Sequence, residues 1–392
     1  MRLIHTSDWH LGRTLVQTSL LEAQSTFLDW LLALAVEREA DAVLVSGDVY
    51  DRAVPPTDAV RLLDRTFVAF AEAGIPLVVV SGNHDSAVRL GFGRELSAVA
   101  GVHLRTAVED IASPVVLSDE HGRVGIYGVP FLLPDAARES LGAERSHASV
   151  LRRATEVVLA DAADRGIART VVLSHAFVTG GEVSESERDL RVGGIGDAPA
   201  AVFDGLTYVA LGHLHRPQAV RLAGSRTVLR YSGSPMAFSF SERHDTKSVV
   251  LLELDGAGVA DLSTVAAPVP RRLEQVRGTL DDLLARAGSD LAHLADCWVK
   301  AVLTDTVRPA APMERLRAVW PHTLTLGFEP EGLRSPATSD LERLARTTDP
   351  VEVCGLFVDH VGGAPATEVE QAVLREAVEW AQQRTDADAD VA

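Results

Sequence analysis

Residues 43–51 read VLVSGDVYD, an apolar, β-branched run that ends at Gly47 and is followed at once by two carboxylates, Asp48 and Asp51. This is the pattern of a parallel strand buried on both faces, and the residues just past the C-terminal end of such a strand are where α/β sheets present their chemistry. Asp after a strand and a glycine is also ordinary turn chemistry, so the stretch decides nothing by itself. It becomes decisive through repetition. HTSDWH at 5–10, SGNHD at 81–85, LSHAF at 173–177 and LGHLH at 211–215 supply further metal-ligand residue types, most of them closing an apolar run.

Outward from 43–51 the chain alternates strand and helix. Residues 2–7 form a short strand, and 20–39 place Leu21, Phe27, Leu28, Leu31, Leu32, Ala35 and Val36 at helical spacing, so the opening is a βαβ unit. Thr57, after two prolines, is expected to cap a helix with Leu62, Leu63, Phe67 and Phe70 on its buried stripe, and 76–81 is the third strand. Residues 91–100 and 149–165 read as helices. Those at 102–105, 114–117, 123–129, 170–174, 207–211, 218–222, 227–231 and 248–254 read as strands. Helices alternate with strands early and strands dominate later, which predicts an α/β fold with mixed pairing. The Gly-, Ser- and charge-rich stretch 179–199 is a long loop suited to substrate contact.

Composition changes around 268–270, which places a boundary after a first domain at 1–268. Residues 269–334 suggest a small α+β module. The segment 335–392 holds a polar linker, two amphipathic helices at 350–361 and 367–383, and a tail whose Asp386, Asp388 and Asp390 predict disorder. A length of 392 residues is too great for one ordinary core, and 46% hydrophobic residues suffice for burial. The net charge of −18 argues against coating nucleic acid by simple attraction, but bound cations would invert the local sign at a carboxylate-lined site. Cys297 and Cys354 stand apart and support neither a zinc finger nor a disulfide framework. The strand begins directly after Met1 and no apolar stretch suits a bilayer, which predicts a cytoplasmic protein that does not bind membranes. Lysine occurs only at 247 and 300 and reads as codon bias.

The strand-end residues with ligand chemistry are Asp8, His10, Asp48, Asn83, His175, His213 and His215. Imidazole, carboxylate and one amide oxygen suit Mn²⁺, Fe²⁺ or Zn²⁺. Seven ligands are too many for one tetrahedral ion and suit two, with Asp48 shared, because a carboxylate can bridge two cations through its two oxygens. Such a pair would clamp a phosphate and ionise a water. His84 and Asp51 are placed outside the ligand set: His84 would protonate a leaving oxygen, and the Asp51 carboxylate would accept from its other ring nitrogen. Plainer readings remain open for each residue. Asn83 can be a turn residue, His175 a core histidine, the pair His213 and His215 strand-end surface residues, and Asp51 a local partner of Arg52.

Taken together, Asp8-Trp9-His10, Gly47-Asp48-Val49-Tyr50-Asp51, Gly82-Asn83-His84-Asp85, Ser174-His175 and Gly212-His213-Leu214-His215 resemble the motifs of calcineurin-like metallophosphoesterases. HTSDWHLG, YSGSP at 231–235 and the extension past 270 are similar to the SbcD-type nuclease branch of that superfamily. Ala53, where phosphoprotein phosphatases carry glycine, also favours that branch. The resemblance implies a β-sandwich flanked by helices, a capping domain and C-terminal helices that dock on an SbcC-type coiled-coil ATPase. It implies one cation at Asp8, His10, Asp48 and His215, a second at Asp48, Asn83, His175 and His213, and a catalytic role for His84. The implied activity is Mn²⁺-dependent exonuclease and endonuclease cleavage of double-stranded DNA ends and hairpins, in DNA repair, recombination and replication. The working form would be a homodimer within a heterotetramer. Two other readings share the sequence: a phosphoesterase for small phosphodiesters or phosphoproteins, and a non-catalytic scaffold. The C-terminal third speaks against the first and the intact ligand set against the second.

Overall fold

The computed structural model describes residues 1–182, 184–187, 197–330, 347, 349–362 and 365–389. The remainder of the 179–199 loop, most of the expected linker and Asp390 therefore lie outside the described residues. Contacts divide the chain into Met1–Leu273 and Glu274–Ala392.

The first unit runs β1 (Arg2–Thr6), β2 (Thr14–Leu15), β3 (Thr18–Ser19), α1 (Leu21–Glu37), β4 (Ala42–Ser46), α2 (Thr57–Ala73) and β5 (Leu77–Val80). Two short helices, α3 (Ala87–Leu90) and α4 (Arg94–Val99), lead to β6 (Val102–Arg105). The strands β7 (Val115–Asp119) and β8 (Gly122–Val129), the helices α5 (Pro134–Leu141) and α6 (His147–Asp164), and then β9 (Arg169–His175) and β10 (Tyr208–Gly212) follow. The unit closes with β11 (Gln218–Val220), β12 (Val228–Tyr231), β13 (Ser248–Asp255) and β14 (Gly258–Ala266).

Twelve of these strands form two six-stranded sheets, ordered β14-β13-β1-β4-β5-β6 and β11-β12-β10-β9-β8-β7, and β2 and β3 pair with each other. Each sheet has a parallel centre, β1-β4-β5-β6 in one and β12-β10-β9-β8 in the other, flanked by antiparallel strands. Leu3, Leu44, Val78 and Val80 of the first sheet pack against Ile126, Val171, Leu173, Tyr208 and Ala210 of the second. The outer face of the second sheet, with Tyr127, Val172, Val209 and Leu211, is covered by Val150, Leu151, Ala154 and Val158 of α6. On α1 and α2, Phe27, Leu28, Leu31, Leu62, Leu63 and Phe70 are buried. Strands covered on both faces have nowhere to put polar groups except at their ends, and in both sheets the C-terminal ends of the parallel strands carry the candidate residues.

The fold is the expected α/β sandwich, with local differences. Pro56, in extended conformation, holds the cap position of α2, so Thr57 is the first helical residue rather than the cap. The expected helix at 91–100 is shortened to α4, because 91–93 form a turn that follows the separate helix α3. Neither α5 nor β14 was legible: α5 is a short, mostly polar helix, and β14 is an edge strand with little burial and no apolar run.

In the second unit β15 (Leu273–Gly278), α7 (Leu280–Arg286), β16 (Trp298–Leu303), α8 (Pro312–Val319) and β17 (Thr323–Phe328) build a small α+β module. Its sheet runs β15-β16-β17, and Leu280, Leu283, Leu294, Val299, Leu303, Leu316 and Trp320 fill its core. Helices α9 (Pro350–Gly362) and α10 (Glu368–Ala389) contact each other. The expected disorder at Asp386 and Asp388 is corrected, because α10 continues through both; Ala387 between them favours helix. Among the described residues no helix is long and apolar enough to cross a membrane.

Candidate metal centre

The loop after β1 lies along the loop after β4 and extends their pairing past the sheet. Asp8 N donates to Gly47 O at 3.0 Å, His10 N to Asp48 O at 2.9 Å and Leu11 N to Val49 O at 2.9 Å. Asp8, His10 and Asp48 sit in the left-handed region, with φ of 55°, 45° and 48°, and His213 has φ of 107°. Such backbone is costly for residues with a side chain and persists only where the surroundings impose it. Buried Gln24 of α1 helps to impose it, donating to Trp9 O at 3.1 Å and His10 O at 2.7 Å while accepting from Gly12 N at 3.1 Å. Asp85 ties the third loop on by accepting from Val49 N, Tyr50 N and Gly82 N at 3.0, 2.8 and 2.8 Å. Close approach explains two glycines: a Cβ at Gly82 would lie 2.1 Å from Asp48 Oδ1, and one at Gly212 would lie 1.8 Å from Ser46 O.

These loops bring all seven expected ligand residues to one place. Asp48 Oδ2 lies 3.5 Å from His10 Nε2, 3.5 Å from His175 Nε2 and 3.9 Å from His84 Nε2. On one side His10 Nε2 is 3.2 Å from His215 Nε2, and Asp8, His10 and His215 form one group able to hold a cation. On the other side Asn83 Oδ1 is 2.9 Å from His175 Nε2 and 3.1 Å from His213 Nδ1, and Asp48, His175 and His213 form a second group. Asp8 joins the two sides by accepting from the His213 N–H at 3.0 and 3.2 Å. Phe238 edges His10 and His215 at 5.2 and 5.3 Å, while Phe131 and Phe177 edge His175 and His213 at 6.4 and 6.3 Å.

The donor set fits divalent cations. Burial pushes the His10 and His213 imidazoles well below their ordinary pKa and lowers His175 and His215 to about 4, so all four are neutral at pH 7. The His175 Nδ1–H donates to Ser46 O at 2.9 Å, which leaves its Nε2 lone pair facing Asn83. Burial, and then the charge of Asp48, raise the Asp8 carboxyl well above the usual range. Converging lone pairs beside two buried carboxylates are unfavourable without positive charge between them.

Two details differ from expectation. The His84 Nδ1–H donates at 2.7 Å to the main-chain carbonyl of Asp51 and not to its carboxylate. The Asp51 carboxylate is instead 3.5 Å from His10 Nδ1, 3.5 Å from Arg13 and 4.0 Å from Arg52, because the turn at 48–51 presents its carbonyl to the loop after β5. The oxygens of Asp48 are also not equivalent: Oδ1 accepts the His84 N–H at 2.8 Å, and Oδ2 faces both sides of the centre.

Sequence reasoning missed several residues that support this centre. Asp85 was visible inside SGNHD, where a carboxylate after a loop is a natural acceptor for backbone N–H groups. The YSGSP string also has a physical use, since Ser232 Oγ lies 2.8 Å from Ser7 Oγ, which donates to Asp8 Oδ2 at 2.5 Å. Glu242 and Lys247, both buried, come from an irregular stretch that carried no signal. Among the other histidines, His5 is buried in hydrogen bond with Tyr208 at 3.0 Å, and His147 packs against Phe131.

Comparison with known proteins matches residues 1–217, more than half of the chain, to the calcineurin-like phosphoesterase family. Residues 269–361 match the family model SbcD_C, described as the type 5 capsule protein repressor C-terminal domain. The chain is 31% identical over 329 residues to the SbcD component of the nuclease SbcCD from Staphylococcus saprophyticus, covering 83% of this chain and 84% of that protein. Among solved structures, a dimetal phosphatase from Danio rerio is 14% identical with a TM-score of 0.41, covering 68% of this chain and 99% of that one. A sulfate thiohydrolase, SoxB, from Thermus thermophilus is 14% identical with a TM-score of 0.37, covering 68% and 56%.

Proposed function

The chain belongs to the SbcD family of calcineurin-like phosphoesterases, and from that premise we propose that it is the nuclease subunit of a complex with an SbcC-type coiled-coil ATPase. It hydrolyses phosphodiester bonds at double-stranded DNA ends and in hairpins, as exonuclease and endonuclease, in cytoplasmic DNA repair, recombination and replication. The observation that carries this reading is Asp48 Oδ2 between His10 and His175, at 3.5 Å from each. In this reading the two groups of ligands share that one oxygen. Bound there, divalent cations, Mn²⁺ in this reading, would supply positive charge to the scissile phosphate and would acidify a nucleophilic water.

The protein's own residues then have separate tasks. Asp8, His10, Asp48 and His215 would hold one cation, and Asp48, Asn83, His175 and His213 the other. His84 has its Nδ1–H committed to Asp51 O, so it gains and loses protons at Nε2, the atom 3.9 Å from Asp48 and facing the centre. There it can give a proton to the leaving oxygen. Asp51 positions His84 through its carbonyl and faces His10 with its carboxylate.

The proposed partners rest on exposed apolar surface. Val88, Phe92, Leu96 and Val99, across α3 and α4, are 79–88% exposed, which supports a homodimer face close in sequence to His84. Phe357, Val369, Val373 and Trp380 on α9 and α10 are 60–74% exposed, which supports docking of these helices on the ATPase. A chain with net charge −18 is then drawn to DNA by its cations and its partner.

The test incubates the purified chain, with and without the ATPase, with a DNA hairpin, a linear duplex and bis(p-nitrophenyl) phosphate, in Mn²⁺ or Mg²⁺. The expected result is Mn²⁺-dependent cleavage of both DNAs in the complex. Hydrolysis of the small phosphodiester with both DNAs left intact would overturn the nuclease reading.

A further inference from the structure

Behind His215 lies a chain of polar groups that the proposed reaction does not use, Glu242 and Lys247 buried and Ser186 half-buried. His215 Nδ1 is 2.6 Å from Ser186 Oγ, that hydroxyl donates to Glu242 Oε1, and Lys247 Nζ donates to Glu242 Oε2 at 2.5 Å. The same ammonium donates to His215 O at 2.9 Å and Ser234 Oγ at 3.1 Å, so its three protons have three acceptors. Glu242 is 0% exposed and Lys247 is 3% exposed. Residues 184–187 are fastened on the same side: the His215 N–H donates to Glu187 Oε1 at 2.6 Å, and Arg13 donates to Ser186 O at 2.9 Å.

His175 and His213 lack such backing, and behind His10 the Asp51 carboxylate stands 3.5 Å from Nδ1 without a hydrogen bond. His175 Nδ1 donates to a neutral carbonyl, and His213 turns Nδ1 inward to Asn83. His10 Nδ1 has no hydrogen-bond partner among the described residues. A ligand imidazole whose outer N–H is drawn toward a carboxylate is fixed in one tautomer and is more basic at its inner nitrogen. At His215 the carboxylate is reached through Ser186, and Lys247 keeps Glu242 from being an isolated buried charge, which would be costly. Lysine suits this place because a compact ammonium can meet three converging acceptors that a planar guanidinium cannot. The reading of lysine usage as codon bias therefore fails at Lys247.

We propose that Ser186, Glu242 and Lys247 form a positioning relay that makes the Asp8, His10 and His215 group the tighter of two cation sites. The proposal rests on the two-cation reading and not on DNA as the substrate. Calorimetric titration of the full-length, metal-free chain with Mn²⁺ tests it. Wild type shows two classes of site. Ser186→Ala weakens the tighter class by about 10–100-fold, leaves the weaker class and the metal-free melting temperature unchanged, and Ser186→Thr restores the tighter class. An unchanged isotherm for Ser186→Ala, a shift confined to the weaker class, or equal loss at both overturns the relay. A wild-type chain that binds fewer than two Mn²⁺ overturns the two-cation reading together with the relay. Because DNA cleavage is not part of the readout, failure of the nuclease reading stays distinguishable.

Discussion

At Asp48 the two oxygens divide between structure and chemistry, because Oδ1 accepts the His84 N–H at 2.8 Å while Oδ2 faces His10 and His175. Removing the side chain therefore affects both cation groups and the loop that carries His84. Asp48→Ala is expected to abolish tight binding at both sites, measured as Mn²⁺ per chain after dialysis, and a variant that keeps two tight ions refutes a shared ligand. His84→Ala is expected to retain both ions and lower the DNA cleavage rate by about 10²–10⁴-fold, the range for loss of a general acid. Loss of metal in that variant would return His84 to the ligand set. The residue types at these positions were legible because they stood at strand ends. Which atom of Asp51 meets His84 was not legible, since a turn can offer either its carbonyl or its carboxylate.

The elements that carry the site are joined again at the opposite ends of their strands. Arg169, at the start of β9, donates to Asp119 of β7 at 2.6 and 2.9 Å and to Asp255 O of β13 at 3.1 Å, and the N-terminal amine lies 3.3 Å from Asp119. This pair links the two sheets, and its side chains are 5% and 9% exposed. The hydrogen bonds from Arg169 hold the Asp119 carboxyl well below its usual pKa. A depressed carboxylate pKa adds stability that is present above the ordinary carboxylate range and lost as pH falls through the folded value. Asp119→Asn should therefore destabilise the protein by roughly 2 kcal/mol at pH 7, and the gap from wild type should close on acidification below about pH 4. Thermal melts across pH check this, and a gap independent of pH would show that the ion pair does not carry the effect. The central strands were legible because burial on both faces demands continuous apolar runs; β14 was not, because an edge strand faces no such demand.

Over the whole molecule, the proposed function gives the two units separate duties. Deleting 350–392 is expected to abolish association with the ATPase while leaving Mn²⁺-dependent cleavage of simple duplexes within about 2-fold, the scale of ordinary context effects on a remote site; co-purification after deletion would sink the docking role. Phe92→Glu places a charge on the exposed aromatic in the turn between α3 and α4 and should convert a dimer to a monomer by light scattering, whereas an unchanged mass would reject that face. The sequence by itself determined the α/β class, the strand ends that bear ligands and the residue types of a divalent-cation centre, because apolar runs and the residues that close them are local patterns. Only the tertiary structure decided that Oδ2 of Asp48 faces both sides, that Asp51 meets His84 through its carbonyl, and that Glu242 and Lys247 stand behind His215. Those relations depend on which side chains converge when distant loops are brought within about 3–4 Å of one another, and no local pattern in the chain encodes that convergence. The stretch 43–51 could announce a carboxylate at a strand end, but the folded loops around it assign each oxygen its partner.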